Sequence, residues 1–184
     1  SNHGEEINTI VNMIDSDSLN IKERPDRGPK TVDVSTIALL NSKFSEFSRE
    51  ISRYFTSGFL GQCTVKLITV ENISINEFKT ILTPVSDLGS ISHNKFDLPI
   101  YIAASDQIGN NKELLRRFID FTAMNLNGII PGFSADDGLI SMEAHGSIDK
   151  NYSTLLISFS VEVVNEDKGF VMIILPHEFL HYMQ

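Results

Sequence analysis

The stretch that decides the fold is Thr154-Leu155-Leu156-Ile157-Ser158-Phe159-Ser160-Val161-Glu162-Val163-Val164, then Asn165-Glu166-Asp167-Lys168, then Gly169-Phe170-Val171-Met172-Ile173-Ile174-Leu175. Two runs rich in β-branched and aromatic residues, separated by a short polar turn, predict a β-hairpin. Working outward, Leu139–Ala144 and Leu98–Ala104 read as further strands. So does Val65–Val70, with Val65, Leu67 and Thr69 on one face. His177–Met183 reads as a terminal helical turn. Helical periodicity appears over Ser35–Phe55, where Ile37, Leu40, Phe44, Phe47, Ile51 and Phe55 recur at three- and four-residue steps behind a capping Ser35. It returns over 112–129 in Leu115, Phe118, Ile119, Thr122 and Leu126. A short helix over Phe78, Ile81 and Leu82 opens on the capping-box spacing Ser74 to Glu77 and stops at Thr83-Pro84. The order helix, strand, helix, strand, helix and three strands predicts an α/β chain of the α+β kind: a mixed or antiparallel sheet with long helices on one side.

The N-terminal residues 1–34 read as a tail ahead of a single domain over 35–184. Within the tail, Ile7, Ile10, Val11 and Ile14 follow an i, i+3, i+4, i+7 rule and form one narrow apolar stripe. Glu5 and Glu6 suit the positive end of a helix dipole. A segment this short needs a partner groove, its own core or another chain to be helical. After it, Arg24-Pro25-Asp26-Arg27-Gly28-Pro29 reads as an extended linker, because each proline biases its predecessor away from helix.

The 184 residues carry a formal net charge of −9, with 41% hydrophobic and 21% charged side chains. That composition supports a buried core and opposes disorder. The negative sign and the lack of a basic stripe oppose nucleic-acid binding. The single Cys63 excludes an internal disulfide and reads as a small core residue. No run approaches the roughly 20 apolar residues of a membrane span. Together these point to a reducing compartment, the cytoplasm.

Few motifs carry chemistry. No phosphate-binding glycine loop and no nucleophile elbow is present. Asp136-Asp137 and Asp15-Ser16-Asp17 read as solvated turn acids. His177-Glu178-Phe179-Leu180-His181 matches H-E-x-x-H, whose i and i+4 imidazoles share one face of an α-helix and hold Zn²⁺ while the glutamate activates water. Here it follows Pro176, and a third ligand would have to come from His93, His145, Glu143 or a nearer acid. The competing reading is an amphipathic turn with Phe179 and Leu180 packed and the histidines partly solvated.

Several stretches, taken in order, resemble the flagellar motor switch FliM family. Glu6-Ile7-Asn8-Thr9-Ile10-Val11 is similar to that family's N-terminal Glu-Ile-Asp-Ala-Leu-Leu peptide. Arg24-Pro25-Asp26-Arg27 with Val34–Phe44 is similar to its linker and first long helix. Val65–Glu71, Glu77-Phe78 and Pro84 are similar to the strand and Glu-Phe turn that follow. Phe159–Val163, Gly169 and Ile174-Leu175-Pro176 are similar to the closing hairpin of its middle domain. The resemblance implies a CheC-like fold and a cytoplasmic protein-binding module at the flagellar basal body, not an enzyme, with no cofactor. Its partners would be other rotor and switch proteins, further copies of itself, and a phosphorylated CheY-like response regulator. Glu6, Ile7, Ile10, Val11 and Ile14 would dock on that regulator. Two features depart from the family. Asp106–Asn111 stands where the family has a helix and a Gly-Gly-x-Gly loop that contacts FliG, and nothing matches its C-terminal FliN-like domain. The same fold also serves the CheC and CheX phosphatases, which use a helical Glu-x-x-Asn pair. Thr122-Ala123-Met124-Asn125 is the best match, with Thr122 in the acid's place, so Asn125 is the residue an alternative phosphatase reading rests on. A zinc hydrolase built on His177, Glu178 and His181 is the other alternative.

Overall fold

The computed structural model describes residues 32–58, 62–82, 87–105, 112–141, 151–164 and 168–182. In chain order the elements are α1 (Val34–Gly58), β1 (Cys63–Ser74), α2 (Ile75–Ile81), β2 (Asp87–His93) and β3 (Ile100–Ala104). After them come α3 (Lys112–Asn127), β4 (Phe133–Ala135), β5 (Ile140–Ser141), β6 (Ser153–Val163), β7 (Lys168–Pro176) and a 3₁₀ turn (His177–Tyr182). The strands form one sheet in the order β1-β6-β7-β3-β2-β4, with β5 also on β2, and every pairing is antiparallel.

The β6–β7 hairpin runs in continuous register from Thr154↔Pro176 to Glu162↔Lys168. Both strands are buried on both faces, which their unbroken apolar runs require. Leu155, Ile157, Phe159 and Val161 meet Val171, Ile173 and Leu175 on the face covered by α1 and α3. Leu156, Met172 and Ile174 lie on the opposite face, in a second cluster with Tyr101, Ala103 and Leu88. There α2 contributes Ile75 and Phe78. The expectation of helices on one side is therefore incomplete: α2 closes part of the second face.

Helix α1 buries Leu40, Phe44, Phe47, Ile51 and Phe55, the stripe that the periodicity predicts. Its cap is Asp33 rather than Ser35, since the Asp33 carboxylate accepts from the Thr36 N–H at 2.7 Å and from the Ser35 hydroxyl at 2.8 Å. Helix α2 starts as predicted, with the Ser74 hydroxyl accepting from the Glu77 N–H at 3.2 Å. In β1 the register shifts between Leu67 and Thr69. That bulge rotates the strand, so Val70 rather than Thr69 continues the buried face begun by Val65.

The outer edge of β1 is covered in an unusual way. Ser52 and Thr56, one turn apart on α1, bond its backbone. The Ser52 hydroxyl accepts from Val65 N–H (2.8 Å), and its one proton lies between the Ser48 carbonyl (2.6 Å) and the Val65 carbonyl (3.1 Å). The Thr56 hydroxyl accepts from Cys63 N–H (3.1 Å) and donates to Cys63 C=O (3.0 Å). Two hydroxyls thus stand in for a neighbouring strand.

Two strands escape the sequence pattern. β2 contains Gly89, Ser90 and Ser92, weak strand formers, yet it sits inside the sheet between β3 and β4. Gly89 lets α3 approach: a Cβ at that position would overlap the Ile119 side chain. β4 is too short to show an alternation. The strand expected over Leu139–Ala144 is present as Ile140–Ser141, and residues 142–150 lie outside the described residues.

Three measurements check this packing. Phe118 is fully buried and Phe118→Ala should cost about 3–5 kcal/mol in denaturant unfolding. Gly89→Ala should cost roughly 1–3 kcal/mol by overpacking against Ile119. Met124→Ala, at a position 61% exposed, should stay within about 0.5 kcal/mol. The Asp33 carboxyl is held below its ordinary value of 3.8 by hydrogen bonds from the Thr36 hydroxyl, the Thr36 N–H and the Ser35 hydroxyl. Its folded pKa is depressed, so its contribution is present above pH 3.8 and lost as pH falls through the lowered value. An NMR titration followed at the Thr36 amide should give a midpoint below 3.8.

Candidate functional site

Helices α1 and α3 lie side by side on the sheet and run in opposite directions. Phe47 meets Phe118 and Phe121 with ring centroids 5.9 and 5.6 Å apart. One end of the pair is marked by Tyr54, 5.1 Å from Phe121 and 3.4 Å from the Arg117 guanidinium. At the other end Lys43 and Phe44 face Leu126 and Ile129 across a groove of about 270 Å³. The groove floor is apolar: Phe44, Phe47 and Leu126. Its α1 wall carries Lys43, Glu46 and Glu50, and its α3 wall carries Thr122, Asn125 and Ile129.

Asn125 therefore reaches the groove, but its amide nitrogen donates to the Phe121 carbonyl of its own helix at 3.0 Å. Thr122, in the place of the phosphatase acid, is buried and donates to the Phe118 carbonyl at 2.7 Å. Residues 122 and 125 do not form an acid–amide pair on one helix. The carboxylates nearest Asn125 in the groove come from α1, as Glu46 and Glu50.

The His177–His181 motif lies in the 3₁₀ turn rather than an α-helix. With three residues per turn, positions i and i+4 fall about 120° apart around the axis, not on one face. His177 is buried, and its Nε2 bonds Asn72 Oδ1 at 2.9 Å. The partly solvated histidine that the sequence suggests is thus a core residue at this position. Phe179 and Leu180 are packed as expected. Glu178 has one carboxylate oxygen buried without a hydrogen-bond partner. The side chain of His181 is outside the described set. Among the described residues no group of three or more His, Cys, Asp and Glu side chains is arranged to hold a metal ion.

Other polar positions are structural. His93 is stacked between Phe96 and Phe133, with ring centroids 4.8 and 4.6 Å away. Its Nδ1 accepts from the Lys95 N–H, and its Nε2 bonds the Pro131 carbonyl. Asn127 accepts from the N–H groups of Gly132 and Phe133, fixing the turn in which Gly132 has φ +119°. Asp136 is not the solvated turn acid that the sequence suggests. It accepts from the Ser90 and Ser92 hydroxyls, both at 2.7 Å, while its carbonyl receives the Arg116 guanidinium. Burial, and secondarily the Asp136 charge, raise the Tyr101 phenol above its ordinary value. Cys63 is buried, and burial pushes its thiol up to about 11.

No protein-family model and no curated protein matches this sequence. Solved structures do. The FliM middle domain from H. pylori aligns with a TM-score of 0.66 at 12% identity, covering 83% of this chain and 98% of that one. A FliG–FliM complex from H. pylori gives 0.65 at 12% over 83% and 98%. FliY from Thermotoga maritima gives 0.63 at 8% over 83% and 96%. The fold is that of the FliM middle domain.

At these identities the likeness to FliM and FliY is one of fold. It accounts for the α+β architecture and for the order of the elements that the sequence motifs suggest. The residues of the FliM-like N-terminal peptide, Glu6, Ile7, Ile10, Val11 and Ile14, lie outside the described residues, as do residues 106–111, where the FliM family carries its Gly-Gly-x-Gly loop. Among the described residues no helix is long and apolar enough to cross a membrane.

The groove residues Lys43, Glu46, Glu50 and Ile129 are absent from the sequence-level candidates. The available signal is that Met124 and Ile129 are apolar yet fall off the buried stripe of α3. Both prove to be exposed. For the terminal turn, Asn72→Ala removes the partner of a buried imidazole nitrogen. It should destabilise the fold by about 1–3 kcal/mol, whereas a surface change such as Lys66→Ala should not, as read by thermal or denaturant unfolding.

Proposed function

We propose that this chain is a motor-switch-type protein-binding module: it works through surfaces that engage rotor proteins and a phosphorylated CheY-like response regulator, not through a catalytic cleft. The observation that supports this reading best is the match to FliM middle domains over 83% of the chain, one of them solved together with FliG. The described surface agrees with it. Its groove has an apolar floor between two helices, a shape that accepts a protein segment. Around Asn125 the side chains are turned into helix hydrogen bonds rather than toward a reacting group.

In this reading residues 5–14 form the regulator-binding element. Ile7, Ile10, Val11 and Ile14 supply an apolar stripe for the regulator, and Glu5 and Glu6 pair with basic groups beside it. The helix–sheet body carries the contacts to rotor proteins, within the cytoplasm at the flagellar base.

Isothermal titration of the full chain against the source organism's regulator tests the first part. Affinity should rise on phosphorylation and fall below detection for Ile10→Glu. Equal affinity for both forms of the regulator would refute the docking role. Co-precipitation with the FliG-type rotor protein tests the second part. Retention of a phosphatase rate that vanishes in Asn125→Ala would replace the binding reading with an enzymatic one.

A further inference from the structure

The outer face of the α1/α3 pair combines three properties. It gathers exposed apolar side chains: Leu39 (38%), Tyr54 (38%), Met124 (61%) and Ile129 (41%) are four of the seven large hydrophobics exposed among the described residues. It contains the groove floored by Phe44, Phe47 and Leu126. It also carries an ordered set of charges along α1. Leu39, Lys43, Glu46, Glu50 and Tyr54 follow one another at helical spacing, so a base stands at one end and two acids in the middle. At the other end Arg117, against Tyr54, is already paired with Glu113 on its own helix.

Residues 5–17 carry the complementary order. Glu5 and Glu6 come first, uncharged Asn8, Thr9 and Asn12 occupy the middle, and Asp15 and Asp17 end it. Set with Glu5 and Glu6 at Lys43, the segment lays its uncharged middle along Glu46 and Glu50. The lengths agree as well. As a helix, Ile7 to Ile14 extends about 10.5 Å, the same rise as Lys43 to Glu50 along α1. The connecting residues 15–31 reach at most about 60 Å. The run from the start of α1 to Tyr54 is only about 30 Å. A tethered segment of this kind sees its groove at an effective concentration on the order of millimolar.

We propose that the α1/α3 groove holds residues 5–14 of the same chain, with Ile7, Ile10, Val11 and Ile14 over Phe44, Phe47, Leu126 and Ile129. The body of the protein then competes with any external ligand of that segment. This regulatory consequence rests on the reading of residues 5–14 as the regulator-binding element; the occupancy itself does not.

The test uses the full chain with labelled isoleucine and methionine methyl groups. In Ile10→Glu the Ile129 methyl resonances should shift from their wild-type positions, while Met124, which does not line the groove, serves as the control. A synthetic peptide of residues 1–16 added in trans should restore them. Adding Lys43→Glu should weaken that restoration several-fold, and a peptide with Glu5→Lys and Glu6→Lys should recover it. Ile129 resonances that do not respond to Ile10→Glu would overturn the proposal. So would shifts that depend on protein concentration, which would assign the groove to a second copy. Silent methyl groups with intact regulator binding sink the groove occupancy alone. Responsive methyl groups without regulator binding sink the docking role alone and leave the occupancy standing.

Discussion

The structure depends on the two-sided burial of the β6–β7 hairpin. A strand whose successive side chains are all apolar cannot lie at the surface of a sheet. Leu155, Ile157 and Phe159 therefore demand one cover, and Leu156, Met172 and Ile174 another. The chain meets these demands unequally. Two long aromatic-rich helices lie on one face and a short capped helix on the other. Because α1 and α3 must both seat on the same strands, they lie close enough for Phe47 to touch Phe118, Phe121 and Phe159 at once. The groove between them follows from that placement. Large rings meeting edge-on fill the layer next to the sheet but leave a furrow at its outer side.

This origin explains why the groove is walled by helix exteriors. Several polar groups near the sheet serve the architecture: Asp136 binds Ser90 and Ser92, His93 binds Lys95 and Pro131, and Asn127 holds the Gly132 turn. Thr122 and Asn125 bond their own helix. Among the described residues, the groove offers a ligand apolar contact framed by charge.

Legibility in the sequence followed the length and purity of each pattern. The hairpin, both long helices and the Ser74–Glu77 cap were readable because periodicity or capping chemistry extends over several residues. β2 was not readable, since its strand character comes from neighbours. Gly89 and its serines favour no strand by themselves, and only the approach of Ile119 gives the glycine its reason. The β1 bulge was hidden for a related cause: Val65, Leu67 and Thr69 alternate perfectly, and the shift appears only in pairing with β6. The H-E-x-x-H spacing shows the opposite case, a motif that carries less than its string suggests. A local string implied an α-helical face, while Pro176 and the packing of Phe179 and Leu180 set a tighter turn. The groove was invisible because its walls are ordinary surface residues of two separate helices.

The hydroxyls of Ser52 and Thr56 have a consequence for self-assembly. Hydrogen-bonded groups on β1 that would otherwise template another chain are already satisfied at Cys63 and Val65 by a helix, which cannot propagate a ladder. Along that stretch the edge offers a second chain fewer open backbone groups to pair with. The protection lasts only while the last turns of α1 stay wound. Fraying there would uncover the backbone of that edge strand as a template for pairing.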